Sequence, residues 1–200
     1  SSAASDVYKR QTEGAKVFAR EVAQYCKAYN LDGVNYDDEY SLYPDLGNPS
    51  FATPSAQAGA RLCYETKQVM PDKLVTVFAY GNMYGVESVD GVDVDEWIDI
   101  VVPNYGSAAY PLGNMDKWKC AGLAAEFNLH GGGSLDSYGA QKILSGGYGW
   151  HMGFAANPNN YTTIFQRLSG AYELYGSKLK DPTIFYKKNE TTPSKYPEDL

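Results

Sequence analysis

Histidine and cysteine are scarce in this 200-residue chain, which has two of the first and three of the second. His130 and His151 alone cannot make a zinc site, which takes three or four nitrogen and sulfur ligands. Cys26, Cys63 and Cys120 are odd in number, widely spaced and without a CxxC pair, so they read as buried thiols rather than a disulfide framework or a metal site. Positive charge is also short. Seventeen Lys and Arg against 24 Asp and Glu leave a net charge of -7, which argues against nucleic acid, whose phosphates need a basic face. No segment approaches the roughly 18 consecutive apolar residues of a membrane span. The spaced acids and central glycine of an EF-hand loop are missing too, although Asp37, Asp38 and Glu39 together offer oxygens that could meet a calcium ion.

What is present is a composition 44% hydrophobic and 14% aromatic, enough for a large core in a single domain. Eighteen tyrosines exceed the needs of that core. An amphipathic ring stacks on the C–H face of a sugar while its hydroxyl bonds the sugar oxygens, and the same rings also serve helix–sheet packing. Neutral or weakly charged ligands suit this chain best.

The most informative run is Leu31-Asp32-Gly33-Val34-Asn35-Tyr36-Asp37-Asp38-Glu39-Tyr40. A strand's period of two puts Asn35, Asp37 and Glu39 on one side. Two carboxylates side by side repel, the repulsion raises one pKa, and a carboxyl group held protonated in this way is a general acid. The competing reading is an acidic loop that is merely solvated or caps a neighbour.

Periodicity predicts a helix from Thr12 to about Tyr29 with Val17, Phe18, Val22, Tyr25, Cys26 and Tyr29 on one face, leading into a strand from Leu31 to Asp37. Thr53-Pro54 opens a second helix that ends before Pro71. Strands are expected at Leu74–Tyr80, Ile98–Pro103, Ala121–Phe127 and Tyr148–Ala155. Helices are expected at Leu135–Leu144, stopped by Gly146-Gly147, and at Tyr161–Tyr175, stopped by Gly176, with Ile164, Phe165, Leu168 and Tyr172 inward. Strands separated by helices in this way imply an α/β fold with a parallel sheet and right-handed crossovers. Residues 179–200 lack periodicity and read as an irregular tail. The two Asn-x-Thr patterns at Asn160 and Asn189 are short enough to arise by chance.

The acidic run resembles the signature of family 18 glycoside hydrolases, in the branch of bacterial endo-β-N-acetylglucosaminidases of the endoglycosidase H and F1 type. The ending Asp37-Asp38-Glu39-Tyr40 marks that branch, since chitinases have Asp-Trp-Glu and Asp38 here fills the tryptophan slot. Met70-Pro71-Asp72-Lys73, Gly91-Val92-Asp93-Val94, Pro103-Asn104-Tyr105-Gly106, Tyr148-Gly149 and Glu173-Leu174-Tyr175-Gly176 follow in the family's order, so the resemblance covers about residues 15–178.

The resemblance implies a TIM-like (β/α)8 barrel of which this chain carries strands four to eight, with residues 12–178 as the C-terminal portion of one catalytic barrel. Such a barrel takes about 250 residues. A portion lacking three strands would have exposed edges and an uncovered face, which implies that it is insoluble or molten alone. Asp6-Val7-Tyr8-Lys9-Arg10-Gln11 looks like a translated sequencing adapter, so residues 1–11 are expected to be a non-native leader.

The implied activity is cleavage of the β-1,4 bond in the N,N'-diacetylchitobiose core of N-linked glycans, without a cofactor or metal. In this family the substrate's acetamido oxygen is the nucleophile. By motif position Glu39 is the general acid and later the base, and Asp37 orients the acetamido group and steadies the oxazolinium ion. Tyr105 falls where the family places a tyrosine that bonds the acetamido group. Asn35, Tyr80, Asn104, Glu126 and Phe154 are expected at strand ends as substrate contacts, with Phe154 as an apolar floor.

Asn35 departs from the pattern, because chitinases and endoglycosidase H have Asp there, and an amide cannot share a proton with the next acid. That leaves room for a non-hydrolytic glycan-binding protein on a degenerate barrel, or for a chitinase, as alternatives. The partner is an N-linked glycan or glycoprotein, the working state a monomer, and the location secreted, periplasmic or cell-surface. Branch preference would reside in loops such as Ser41–Ala52 and Ser107–Met115, which can be read for length but not shape.

Overall fold

The computed structural model describes residues 3–37, 56–78, 85–127, 135–155 and 161–176. The chain begins with helix α1 (Ala3–Ala28) and strand β1 (Gly33–Asp37), followed by α2 (Ala56–Val69) and β2 (Leu74–Phe78). A hairpin of β3 (Ser88–Val89) and β4 (Val92–Asp93) precedes β5 (Ile100–Val102), and then come β6 (Ala121–Glu126), α3 (Ser137–Gly146), β7 (Trp150–Phe154) and α4 (Tyr161–Leu174). The expected order of helices and strands is present, with the hairpin added. Thr53 and Pro54, the expected opening of α2, lie outside the described residues.

β1, β2 and β5 form a parallel sheet in that order, with Asn35 opposite Thr76, Asp37 opposite Phe78, and Phe78 opposite Val102. β6 and β7 form a second parallel pair in which Glu126 stands opposite Phe154. A lone parallel bridge from Val101 to Cys120 joins the two. The reason lies in the segment after β5. It turns back and offers Gly106 N–H to Ala124 O and Ala109 N–H to Ala121 O, both at 2.8–2.9 Å, so it takes carbonyls of β6 that β5 would otherwise use. Among the described residues the strands form an open α/β arrangement and do not close into a barrel.

The core lies between the sheet and the helices. Val75, Val77 and Val101 are fully buried there with Cys63, Val94, Trp97 and Ile98, the alternate residues of β2 and β5 giving one face wholly to this layer. α1 packs chiefly on α2. The face it buries is not the one its large side chains suggest: Ala15, Ala19 and Cys26 are buried, whereas Val17, Phe18 and Tyr25 are 42–49% exposed. Small residues let two helix backbones approach, so the close contact selects alanines and leaves the bulky ones at the flank.

Two polar devices fix the strand ends. Arg61, buried on α2, donates to both carboxylate oxygens of Asp90 at 2.6 and 2.7 Å and so ties down the β3–β4 turn. Asp90 and Gly91 sit at φ 50° and 81°, the left-handed pair that a two-residue hairpin of this hand requires. At the opposite end, Asp99 accepts from the Val75 N–H at 2.7 Å and from Lys67 Nζ at 2.9 Å, which locks β5 to β2 in register. α3 is capped by Asp136, which accepts from Gly139 N–H, and is stopped by Gly147 at φ 74°.

Candidate functional site

Alternation along β1 decides what the mouth of the sheet contains. Tyr36 points into the helix layer, 8% exposed, with its ring near Phe18 and its hydroxyl 2.6 Å from Thr66 Oγ1. Thr66 donates its own proton to Leu62 O at 2.7 Å, so Tyr36 is the donor to Thr66. Burial pushes the Tyr36 phenol up to about 12, which keeps it a donor at any physiological pH. With Tyr36 held in the core, Asn35 and Asp37 stand on the opposite, exposed face.

On that face Asn35 is joined to its neighbour strand: Thr76 donates to Asn35 Oδ1 at 2.8 Å. One rung nearer the carboxyl ends, Asp37 is beside Phe78. From Phe78 an aromatic row crosses the strand ends. Its ring is 5.9 Å from that of Tyr105, and Tyr105 is stacked on Phe154 at 5.9 Å and 29°. Phe78 is buried beneath this row, while Phe154 is 53% exposed. Glu126 is half-buried in the rung of Phe154.

The turn after β5 sets Tyr105. Asn104 Oδ1 accepts from the Tyr105 N–H at 2.7 Å, Ser107 Oγ donates to the Asn104 carbonyl at 2.6 Å, and Gly106 takes φ 76°. Asn104 is thus engaged in shaping the loop, with its remaining amide edge exposed. A cleft of about 270 Å³ lies beside it, lined by Pro103, Asn104, Ser107, Tyr110 and Tyr148 among others, and does not include Asp37.

The structure therefore gathers Asn35, Asp37, Tyr105, Phe154 and Glu126 along the carboxyl ends of parallel strands, with Asn104 in the adjoining turn. Glu39 and Tyr80 lie outside the described residues. Thr76 and Phe78 belong to the same face and were not expected there. Their signal was a polar residue and a bulky aromatic alternating with Val75 and Val77. Among the described residues no cluster of three or more His, Cys, Asp or Glu is arranged to hold a metal ion, and no helix is long and apolar enough to cross a membrane. Chemically, the face offers a carboxylate next to an aromatic wall with hydroxyl and amide groups at its edge, which suits a neutral ring-shaped ligand bearing hydrogen-bonding substituents.

No family model matches the chain. Endo-β-N-acetylglucosaminidase F1 of Elizabethkingia meningoseptica is 38% identical over 193 residues, covering 92% of this chain and 56% of the relative. An endo-β-N-acetylglucosaminidase of a Flavobacterium species is 29% identical over 140 residues, covering 69% and 43%. Among solved structures, EndoBT-3987 of Bacteroides thetaiotamicron crystallised with a Man5GlcNAc product is 68% identical, with a TM-score of 0.80, over 94% of this chain and 44% of that one. The same enzyme in complex with a Man9GlcNAc2Asn substrate gives 67% identity and a TM-score of 0.80, over 94% and 48%. This chain is a homologue of these endo-β-N-acetylglucosaminidases over 69–94% of its length, and it spans about half of theirs.

Proposed function

We propose that this homologue of the endo-β-N-acetylglucosaminidases carries the acid-bearing half of such an enzyme's active site, and that the protein cleaves the chitobiose core of N-linked glycans, leaving one N-acetylglucosamine on asparagine. The observation that carries the reading is Asp37 on the open face of β1, beside Phe78 and the Tyr105–Phe154 stack. In this reading β1, β2, β5, β6 and β7 are the fourth to eighth strands of a (β/α)8 barrel, whose sites form at the carboxyl ends of strands. The Man5GlcNAc product and the Man9GlcNAc2Asn substrate named with the 68% and 67% identical structures support a high-mannose glycan as the substrate proposed here.

The proposed chemistry is substrate-assisted and retaining. The acetamido oxygen of the reacting sugar attacks its own anomeric carbon, which spares the entropy of bringing in a second group, an advantage worth effective molarities on the order of 10⁵ M. Asp37 accepts the acetamido N–H and balances the positive charge of the oxazolinium ion. Glu39, by its place in the sequence, protonates the leaving oxygen and then takes a proton from the attacking water. The Tyr105 hydroxyl holds the acetamido group, while the Phe154 ring underlies the sugar. A glycoprotein substrate would suit a location outside the cytoplasm, in the medium, the periplasm or at the cell surface, and that is the location proposed here.

Asn35 favours a second reading, a glycan-binding protein without turnover, because the resemblance puts Asp at this place in chitinases and endoglycosidase H. Incubating the protein from its complete natural reading frame with a high-mannose glycoprotein separates the two. Loss of the glycan with one N-acetylglucosamine retained, and a β-anomer formed first by proton NMR, is the expected result. Retention of the full glycan mass together with measurable glycan binding would establish the binder instead.

A further inference from the structure

We infer that Thr76 is a positioning residue for the proposed reaction: through its hydroxyl it fixes the side-chain amide of Asn35 so that the donor edge of that amide serves the same face as Asp37. The inference rests on the hydrolase reading, and it assigns a role to a residue that lies on a different strand from the acidic run. Thr76 stands opposite Asn35 in the β1–β2 register, and its hydroxyl donates to Asn35 Oδ1 at 2.8 Å. The Val34 carbonyl, at 3.3 Å, is the longer alternative for the same proton. A free asparagine presents either its oxygen or its nitrogen to a neighbour, since the two ends of the amide are nearly the same shape. The threonine proton favours the orientation that brings Oδ1 to it, at 2.8 Å against 3.3 Å to the Val34 carbonyl.

What remains is Nδ2, with two N–H donors and no partner among the described residues. Asp37 follows two residues later on the same face of the strand, about 7 Å along it. A donor held in this place complements a carboxylate and cannot titrate, whereas an acid in the same place would add a second negative charge and a second ionisation. In this protein the pair Thr76–Asn35 therefore supplies a fixed neutral dipole under the reacting group, preorganised before substrate binds. Thr76 stands on the half-buried face of β2, between Val75 and Val77, which turn to the helix layer.

The test compares Thr76→Val, Thr76→Ser, Asn35→Ala and the double variant Thr76→Val/Asn35→Ala in the natural protein, with cleavage of a high-mannose glycopeptide as readout. Thr76→Val should lower kcat roughly tenfold with KM little changed, the size of one net hydrogen bond to a reacting centre. Thr76→Ser should restore it, and Thr76→Val should add nothing in the Asn35→Ala background, because the effect passes through the amide. Thermal unfolding of each variant separates loss of fold from loss of positioning. An active wild type with Thr76→Val unchanged, or with the two losses multiplying independently, would overturn the positioning role alone. A wild type that binds but never cuts would overturn the hydrolase reading and this role with it.

Discussion

The Tyr36 hydroxyl donates to Thr66 across the β1–α2 interface at 2.6 Å, on the face of β1 opposite Asp37. Because alternation along a strand is strict, this buried bond is also what turns Asp37 toward the open face. Replacing Tyr36 with Phe should cost about 1 kcal/mol of unfolding free energy in urea titration, since the Thr66 proton keeps its bond to Leu62. The same substitution should flatten the alkaline limb of stability. A phenol raised by burial from 10.0 to about 12 stabilises the fold below pH 10, and that contribution is lost as the pH rises from 10 toward 12.

The β3–β4 turn is predicted to depend on one acid. Asp90→Ala takes the bidentate partner from the Arg61 guanidinium, 6% exposed, and leaves the longer contact with Glu65 at 3.3 Å. Asp90 is itself half-exposed, so the loss is moderate, about 2 kcal/mol, and chemical denaturation of the variant measures it.

Acid sensitivity should trace to His151. Its ring is stacked on Tyr175 at 5.7 Å and its Nδ1 lies 3.1 Å from the Tyr175 hydroxyl, where burial lowers its pKa from 6.5. The fold prefers the neutral imidazole, so stability is full above pH 6.5 and declines as the pH falls below that value until His151 charges in the folded state. His151→Gln should show a smaller fall in Tm between pH 7 and pH 5, read by calorimetry.

Tyr105 is predicted to make two separable contributions, through its ring and through its hydroxyl. Tyr105→Phe keeps the ring contacts with Phe78 and Phe154 and should lower kcat roughly a hundredfold, as removing one donor at a developing charge does. Tyr105→Ala should in addition lose about 1 kcal/mol of ring contacts and weaken glycan binding. Steady-state kinetics with unfolding curves on both variants resolves the two.

Much of this arrangement could be read from residue order. The helices and long strands announce themselves by apolar period and by the stops at Gly147 and Gly176, and the side of β1 on which Asn35 and Asp37 fall follows from alternation with Tyr36. The β3–β4 hairpin was missed because each strand has two residues, too few for a period, although the Asp90-Gly91 pair is its signal. On α1 the expected face is right at Cys26 and wrong at Val17, Phe18 and Tyr25, because hydrophobicity points to the bulky residues while Ala15 and Ala19 are the ones buried. The return of residues 106–109 along β6 is a long-range exchange of hydrogen bonds, and no local pattern encodes it. Thr76 is illegible for the same reason: its partner lies on another strand.

Mass spectrometry of a high-mannose glycoprotein after incubation with the natural protein, Glu39→Gln and Asp37→Asn bears most directly on the paired-acid site. The wild type should remove the glycan and leave one N-acetylglucosamine. Glu39→Gln should bind the glycan without cutting it, and Asp37→Asn should slow cutting by at least about a hundredfold. Turnover at the wild-type rate in either variant would remove that carboxylate from the chemistry and end the proposal that the two acids act as a unit.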